Sequence, residues 1–138
     1  MDKLIKFRGP DKKKFTDREH SDDFLKAERF KKVYLGRLAL YYKDFFTICC
    51  LPYDYIERAY KGVNIVTPDD SPPIEYFRLI LLHDGQECAN IIFGERDSEL
   101  VDRLVLRINE IHPETQIGYV EPEKKPEQKR SLKSFFFN

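Results

Sequence analysis

A chain of 138 residues with 35% charged and 14% aromatic side chains is long enough for one domain with a real core. Lys+Arg and Asp+Glu balance at 24 each, which speaks against a strongly basic nucleic-acid binder, and no apolar run approaches the ~20 residues that cross a bilayer. The first residues, MDKLIKFRGPDKKK, hold no hydrophobic stretch of a secretory leader, and Cys49, Cys50 and Cys88 are odd in number with an adjacent pair, so a cytoplasmic chain without a disulfide framework is expected.

The balanced charge is unevenly spread. Residues 1–32 carry 11 Lys and Arg against 7 Asp and Glu, residues 33–120 carry 8 against 14, and residues 121–138 carry 5 against 3. The expected layout is a basic N-terminal arm over 1–32, an acidic folded body over 33–120 and a basic tail over 121–138. Within the arm, residues 1–20 read as a solvated segment pinned at most by Leu4, Ile5 and Phe7. Ser21, followed by Asp22 and Asp23, is the N-cap candidate of a short helix to about Lys31, with Phe24, Leu25, Ala27 and Phe30 on its apolar side.

Val33 opens the β region. The run 32–44, KVYLGRLALYYKD, places apolar residues on both faces, and Gly36 marks a bend or bulge. Lys43-Asp44 is the next turn candidate, leaving FFTICCL as a strand with Phe46, Ile48 and Cys50 on one face. Pro52 interrupts that strand, Tyr53-Asp54-Tyr55 forms a corner, and extended structure resumes with Ile56 and Tyr60 inward. Residues 67–73, TPDDSPP, must be a loop, because three prolines exclude a central strand or a helix interior.

The strongest local signal follows. Asp84-Gly85 between two β-rich runs predicts a two-residue hairpin turn, since both central positions need positive φ. Phe77, Leu79 and Leu81 face one way and Tyr76, Ile80 and Leu82 the other; after the turn Ala89, Ile91 and Phe93 share a face. From an N-cap at Asp97 the period changes to that of a helix: Leu100, Leu104, Ile108 and Ile111, with Val101 and Val105, make one apolar stripe that must lie on a sheet. Pro113 ends it. HPETQIGYV offers a short edge segment through Ile117 and Tyr119, and the Pro/Glu/Lys-rich remainder closes on Phe135, Phe136, Phe137 and Asn138.

The expected class is α+β, a small antiparallel β-barrel or roll capped by one C-terminal amphipathic helix, with a helical N-terminal arm. The corner CLPYDYIERAYKGV (Cys50–Val63), the strand–Asp-Gly–strand–helix module and the closing HPETQIGY resemble pleckstrin-homology-like domains of uncharacterised bacterial proteins, and more distantly GRAM-type domains, over residues 33–119. The resemblance implies a fold and no shared activity. Pleckstrin-homology domains that hold phosphoinositides place a basic cluster between their first two strands, where this chain has only Lys43-Asp44, with Arg37 farther along the strand.

No motif carries catalytic chemistry. His20, His83 and His112 are not at ligand spacing with one another or with the thiols, so neither metal nor cofactor is expected, and His112 reads as a charge favourable to a helix C-terminus. Asp69-Asp70 lacks the alternating oxygens of a calcium loop. Cys50 and Cys88 read as strand core rather than nucleophiles. Expectation therefore settles on a non-enzymatic module that binds a protein, a peptide or a second copy of itself, through the tyrosine-rich sheet at Tyr41, Tyr42 and Lys43 or through Phe135, Phe136 and Phe137. The alternative is an anionic membrane surface met by the basic arms and the Phe tail. Nucleic acid is disfavoured by the acidic body.

Overall fold

The computed structural model describes residues 4–119. The tail that ends in Phe135, Phe136 and Phe137 lies outside the described residues.

Two short strands, β1 (Lys6–Arg8) and β2 (Lys14–Thr16), come first, followed by α1 (Arg18–Leu25). Then come β3 (Glu28–Phe30), β4 (Val33–Leu35), β5 (Ala39–Asp44) and β6 (Thr47–Pro52). A 3-10 turn at Tyr53–Tyr55 leads into β7 (Arg58–Val66), β8 (Ile74–His83), β9 (Gln86–Ile92), α2 (Ser98–Ile111) and β10 (Gln116–Ile117). One sheet has the order β2-β1-β6-β5-β4-β3 and the other β10-β7-β8-β9.

This is α+β, but the closed antiparallel barrel or roll is corrected to two open sheets, each of mixed pairing. A meander through short turns makes only antiparallel neighbours, and two pairings are not of that kind: β1 lies parallel to β6, and β10 returns parallel to β7. The solvated N-terminal arm is corrected as well. Phe7 is fully buried and its ring meets Tyr41 at 5.3 Å, Phe15 at 5.6 Å and Phe24 at 6.1 Å. Burying a phenylalanine is worth roughly 1.5–3 kcal/mol, enough to hold a three-residue strand between β2 and β6 in a segment that average composition marks as tail. β3 and β4 pair across residue 32, so the first sheet draws on both sides of it.

The first helix also differs from expectation. It is capped by Asp17, whose Oδ1 accepts from the Glu19 and His20 amides at 2.7 and 3.2 Å, and it stops at Leu25. Ser21 lies inside it, buried, and its hydroxyl accepts from the Ile5 amide at 2.9 Å. Residues 28–30 are strand, not helix.

The second half follows the expected pattern except on β7, where Ala59 is buried in the core and Tyr60, expected inward, is half-buried on the other face. Asp84 and Gly85 hold φ of 54° and 75° in a two-residue turn. Leu79, Ile80 and Leu81 are buried on both faces of β8, and Ala89, Ile91 and Phe93 together on the other side of the turn. From α2, Val101, Leu104, Val105 and Ile108 fill the main core against Val33, Leu35, Leu40 and Leu51 of the first sheet and Ala59, Leu79 and Leu81 of the second. Asp97 precedes the helix, but its carboxylate does not cap it; it accepts from the Gly94 amide at 2.7 Å and pairs with Lys31 at 2.9 Å.

A second, aromatic core lies on the opposite face of the first sheet, under α1, where Phe24 meets Tyr34 at 4.6 Å and Tyr41 at 5.4 Å. Its polar anchor is Asp23, which accepts from the amides of Arg37 (2.7 Å) and Leu38 (3.0 Å) and from the Tyr41 hydroxyl (2.8 Å). Gly36 is what lets that carboxylate in. A Cβ there would collide with the Asp23 carboxylate, so the predicted bend is a close approach.

Candidate functional site

The β5–β6 hairpin projects the least compensated surface of the molecule. The register Asp44↔Thr47 leaves Phe45 and Phe46 as its two-residue turn, two positions later than the Lys43-Asp44 turn the sequence suggests. Phe46 therefore leaves the strand face assigned to it. Their relative exposures are 96% and 104%, and Phe45 has φ of 58°. A left-handed φ on a residue with a Cβ costs about 1–2 kcal/mol and is ordinarily left to Gly or Asn. Two solvated phenylalanine rings forgo a further roughly 1.5–3 kcal/mol each, so this turn is a poor choice for stability alone.

Cations surround its base. Lys32, Tyr42, Lys43, Asp44, Phe45 and Asn90 line a cleft of about 420 Å³ together with Ile92 of β9. Beyond Lys32, Lys43 and Ile92, which both hollows share, a second one of about 470 Å³ adds Arg29, Lys31, Phe93 and Asp97. The Lys43 ammonium sits over the Tyr34 ring at 5.4 Å, Arg29 over the same ring at 5.5 Å, and Lys32 over Phe93 at 6.0 Å. Arg8 pairs with Asp44 at 3.1 Å and Lys31 with Asp97, so Arg29, Lys32 and Lys43 are the cations here that no carboxylate neutralises among the described residues.

Of the residues singled out from sequence, Lys43 is exposed and Tyr42 half-buried, and both line the cleft. Tyr41 does not belong with them. It is fully buried on the face of β5 opposite Tyr42, where burial first and then its bond to Asp23 hold the phenol far above its ordinary range. Adjacent strand residues face opposite ways, so Lys43 shares the face of Tyr41, at the exposed end of the strand, and reaches the Tyr34 ring from there. Phe45, Phe46, Lys32 and Arg29 were missed. The available signal was the doublet Phe45-Phe46 directly after an Asp that can close a turn.

The two thiols weighed as nucleophiles lie among strand residues. Burial pushes the Cys50 thiol up to about 12 and Cys88 up to about 11, which keeps both protonated at neutral pH. His83 lies flat on Tyr55, ring centroids 3.7 Å apart, with Nδ1 2.9 Å from the Tyr55 carbonyl. No helix among the described residues is long and apolar enough to cross a membrane. No family model, curated protein or solved structure matches the chain.

Proposed function

We propose that this protein is a binding module rather than an enzyme, and that it docks peripherally on an anionic membrane surface by inserting Phe45 and Phe46 while Lys32, Lys43 and Arg29 meet the headgroups. The observation that carries the reading is the strained, fully solvated Phe-Phe turn beside Lys32, Lys43 and Arg29, which pair with no carboxylate among the described residues. Stable peripheral attachment needs two signals, an apolar one and an electrostatic one. Two rings supply roughly 1.5–3 kcal/mol each on burial, and basic residues add about 1 kcal/mol each near an anionic leaflet. A pleckstrin-homology-like identity belongs to the same proposal, supported by the corner after β6 and the single long helix packed beside the sheets.

The test is co-sedimentation of the intact chain with phosphatidylcholine vesicles, with and without phosphatidylserine. Binding should require the anionic lipid and weaken with salt. It should fall at least about tenfold in the Phe45→Ala/Phe46→Ala double variant and about fivefold for each of Lys32→Gln and Lys43→Gln. Both phenylalanines are exposed, so their removal leaves the fold intact. Binding indifferent to lipid charge and to the phenylalanines overturns the proposal.

One observation favours a protein partner instead. Among the described residues β9 pairs only with β8, and its other edge borders the same cleft through Asn90 and Ile92, where an acidic extended segment could add a strand. Capture of an acidic peptide by the Lys32–Lys43 cleft, without vesicle binding, is the result that selects this reading.

A further inference from the structure

We propose a metal site, independent of the docking surface, in which Asp54, His112 and Glu114 take a divalent ion of the zinc type. His112 closes α2, and its ring is fixed from two sides. It stacks on Tyr53 with centroids 5.9 Å apart, and its Nδ1 lies 2.9 Å from Thr115 Oγ1. Thr115 is fully buried, and its hydroxyl donates its one proton to the Ile56 carbonyl at 2.8 Å. That hydroxyl can only accept from the ring, so Nδ1 carries the hydrogen and, in the neutral imidazole, the lone pair is on Nε2.

Nε2 faces two carboxylates. Asp54 Oδ1, from the 3-10 turn, and Glu114 Oε2, from the loop after Pro113, each lie 3.0 Å from it, and the three donor atoms fall within 4.8 Å of one another. A single ring proton can point at only one of two oxygens. A dication with bonds of about 2.0–2.2 Å would draw on all three: tetrahedral ligands at that radius stand about 3.4 Å apart, so the two exposed carboxylates need move back from Nε2 by only a few tenths of an ångström. One imidazole with two carboxylates suits zinc and its first-row neighbours better than magnesium or calcium, which prefer oxygen alone. The chain Ile56 carbonyl–Thr115–Nδ1 is the outer support that orients a ligating histidine and sets its tautomer. Both carboxylates are exposed, so water completes the sphere on the open side. Sequence spacing could not show this: the donors come from positions 54, 112 and 114, and only one is a histidine.

The experiment titrates the intact, untagged chain with zinc chloride and follows the imidazole nitrogen resonances by NMR, with magnesium chloride as control. A zinc indicator dye read in competition gives the affinities. Zinc should shift His112 Nε2 and leave its Nδ1 protonated, whereas magnesium should not. Asp54→Asn and Glu114→Gln, both at exposed positions, should each weaken zinc by about tenfold or more, and His112→Ala should abolish the site. Thr115→Val should weaken zinc by about 10–100-fold while Thr115→Ser retains it. Unchanged His112 resonances at saturating zinc overturn the site, including the case where zinc is taken up by the thiols instead. So does an affinity unaffected by Asp54→Asn and Glu114→Gln.

Discussion

Asp23 and Gly36 show how a single close contact organises one face of this protein. The Asp23 carboxylate reaches two amides and a phenol only because residue 36 lacks a side chain. Gly36→Ala should therefore expel it and lose about 2–3 kcal/mol, the size expected when hydrogen bonds to a charged group are broken in a half-buried site. Chemical denaturation should find Asp23→Ala comparably destabilised and the Gly36→Ala/Asp23→Ala pair less than additive, because both remove the same contacts. Additive losses would show that the two residues act separately. Asp97 makes a pH prediction. Its bond to Lys31, then its bond to the Gly94 amide, hold the carboxyl below its ordinary value near 3.8. A lowered folded pKa gives stability that is present above the ordinary value and lost as pH falls through the folded one. Asp97→Asn should accordingly lower stability at neutral pH and flatten the acid limb below about pH 4; an acid limb identical to that of the parent chain would refute the assignment.

Among the elements, those with a strong period were legible in the sequence and those set by tertiary pairing were not. The α2 stripe and the Asp84-Gly85 turn announce themselves through four-residue spacing and through residues that tolerate positive φ. β1 is three residues long and owes its place to Phe7 in the aromatic core, a contact that no local pattern encodes. The β5–β6 turn was misplaced for a physical reason: Phe is a strand former, and Lys43-Asp44 looks more like a turn than Phe45-Phe46 does. Such a violation of local preference is most easily understood as serving contact with something outside the chain. Phe45→Gly should relieve the left-handed strain and raise stability by about 0.5–1 kcal/mol in thermal or chemical unfolding while weakening membrane docking. Lower stability in that variant would mean that the Phe45 ring supports the hairpin itself.

At the scale of the whole molecule, two open sheets share one core under α2, and a second aromatic core under α1 stiffens the sheet that bears the hairpin. The proposed docking tip is thus mounted on the β5–β6 strand pair, while the proposed metal site stands on the turn between the sheets and the end of α2. The α+β class followed from the order of periodic segments, but openness did not, because the parallel partners β1 and β10 are three- and two-residue strands without periodicity of their own. Neither candidate site was legible whole, since each assembles residues distant in sequence: Arg29, Lys32 and Lys43 with Ile92 in one, Asp54 with His112 in the other.

The chain contains no tryptophan, so Phe46→Trp places a single indole at the hairpin tip with no competing emission. Its fluorescence, recorded while the intact variant is titrated with phosphatidylserine-containing vesicles, tests the docking account most directly. Insertion predicts a blue shift and quenching by brominated acyl chains, both absent with purely zwitterionic vesicles. Emission that stays at the wavelength of a water-exposed indole at saturating anionic lipid would contradict it.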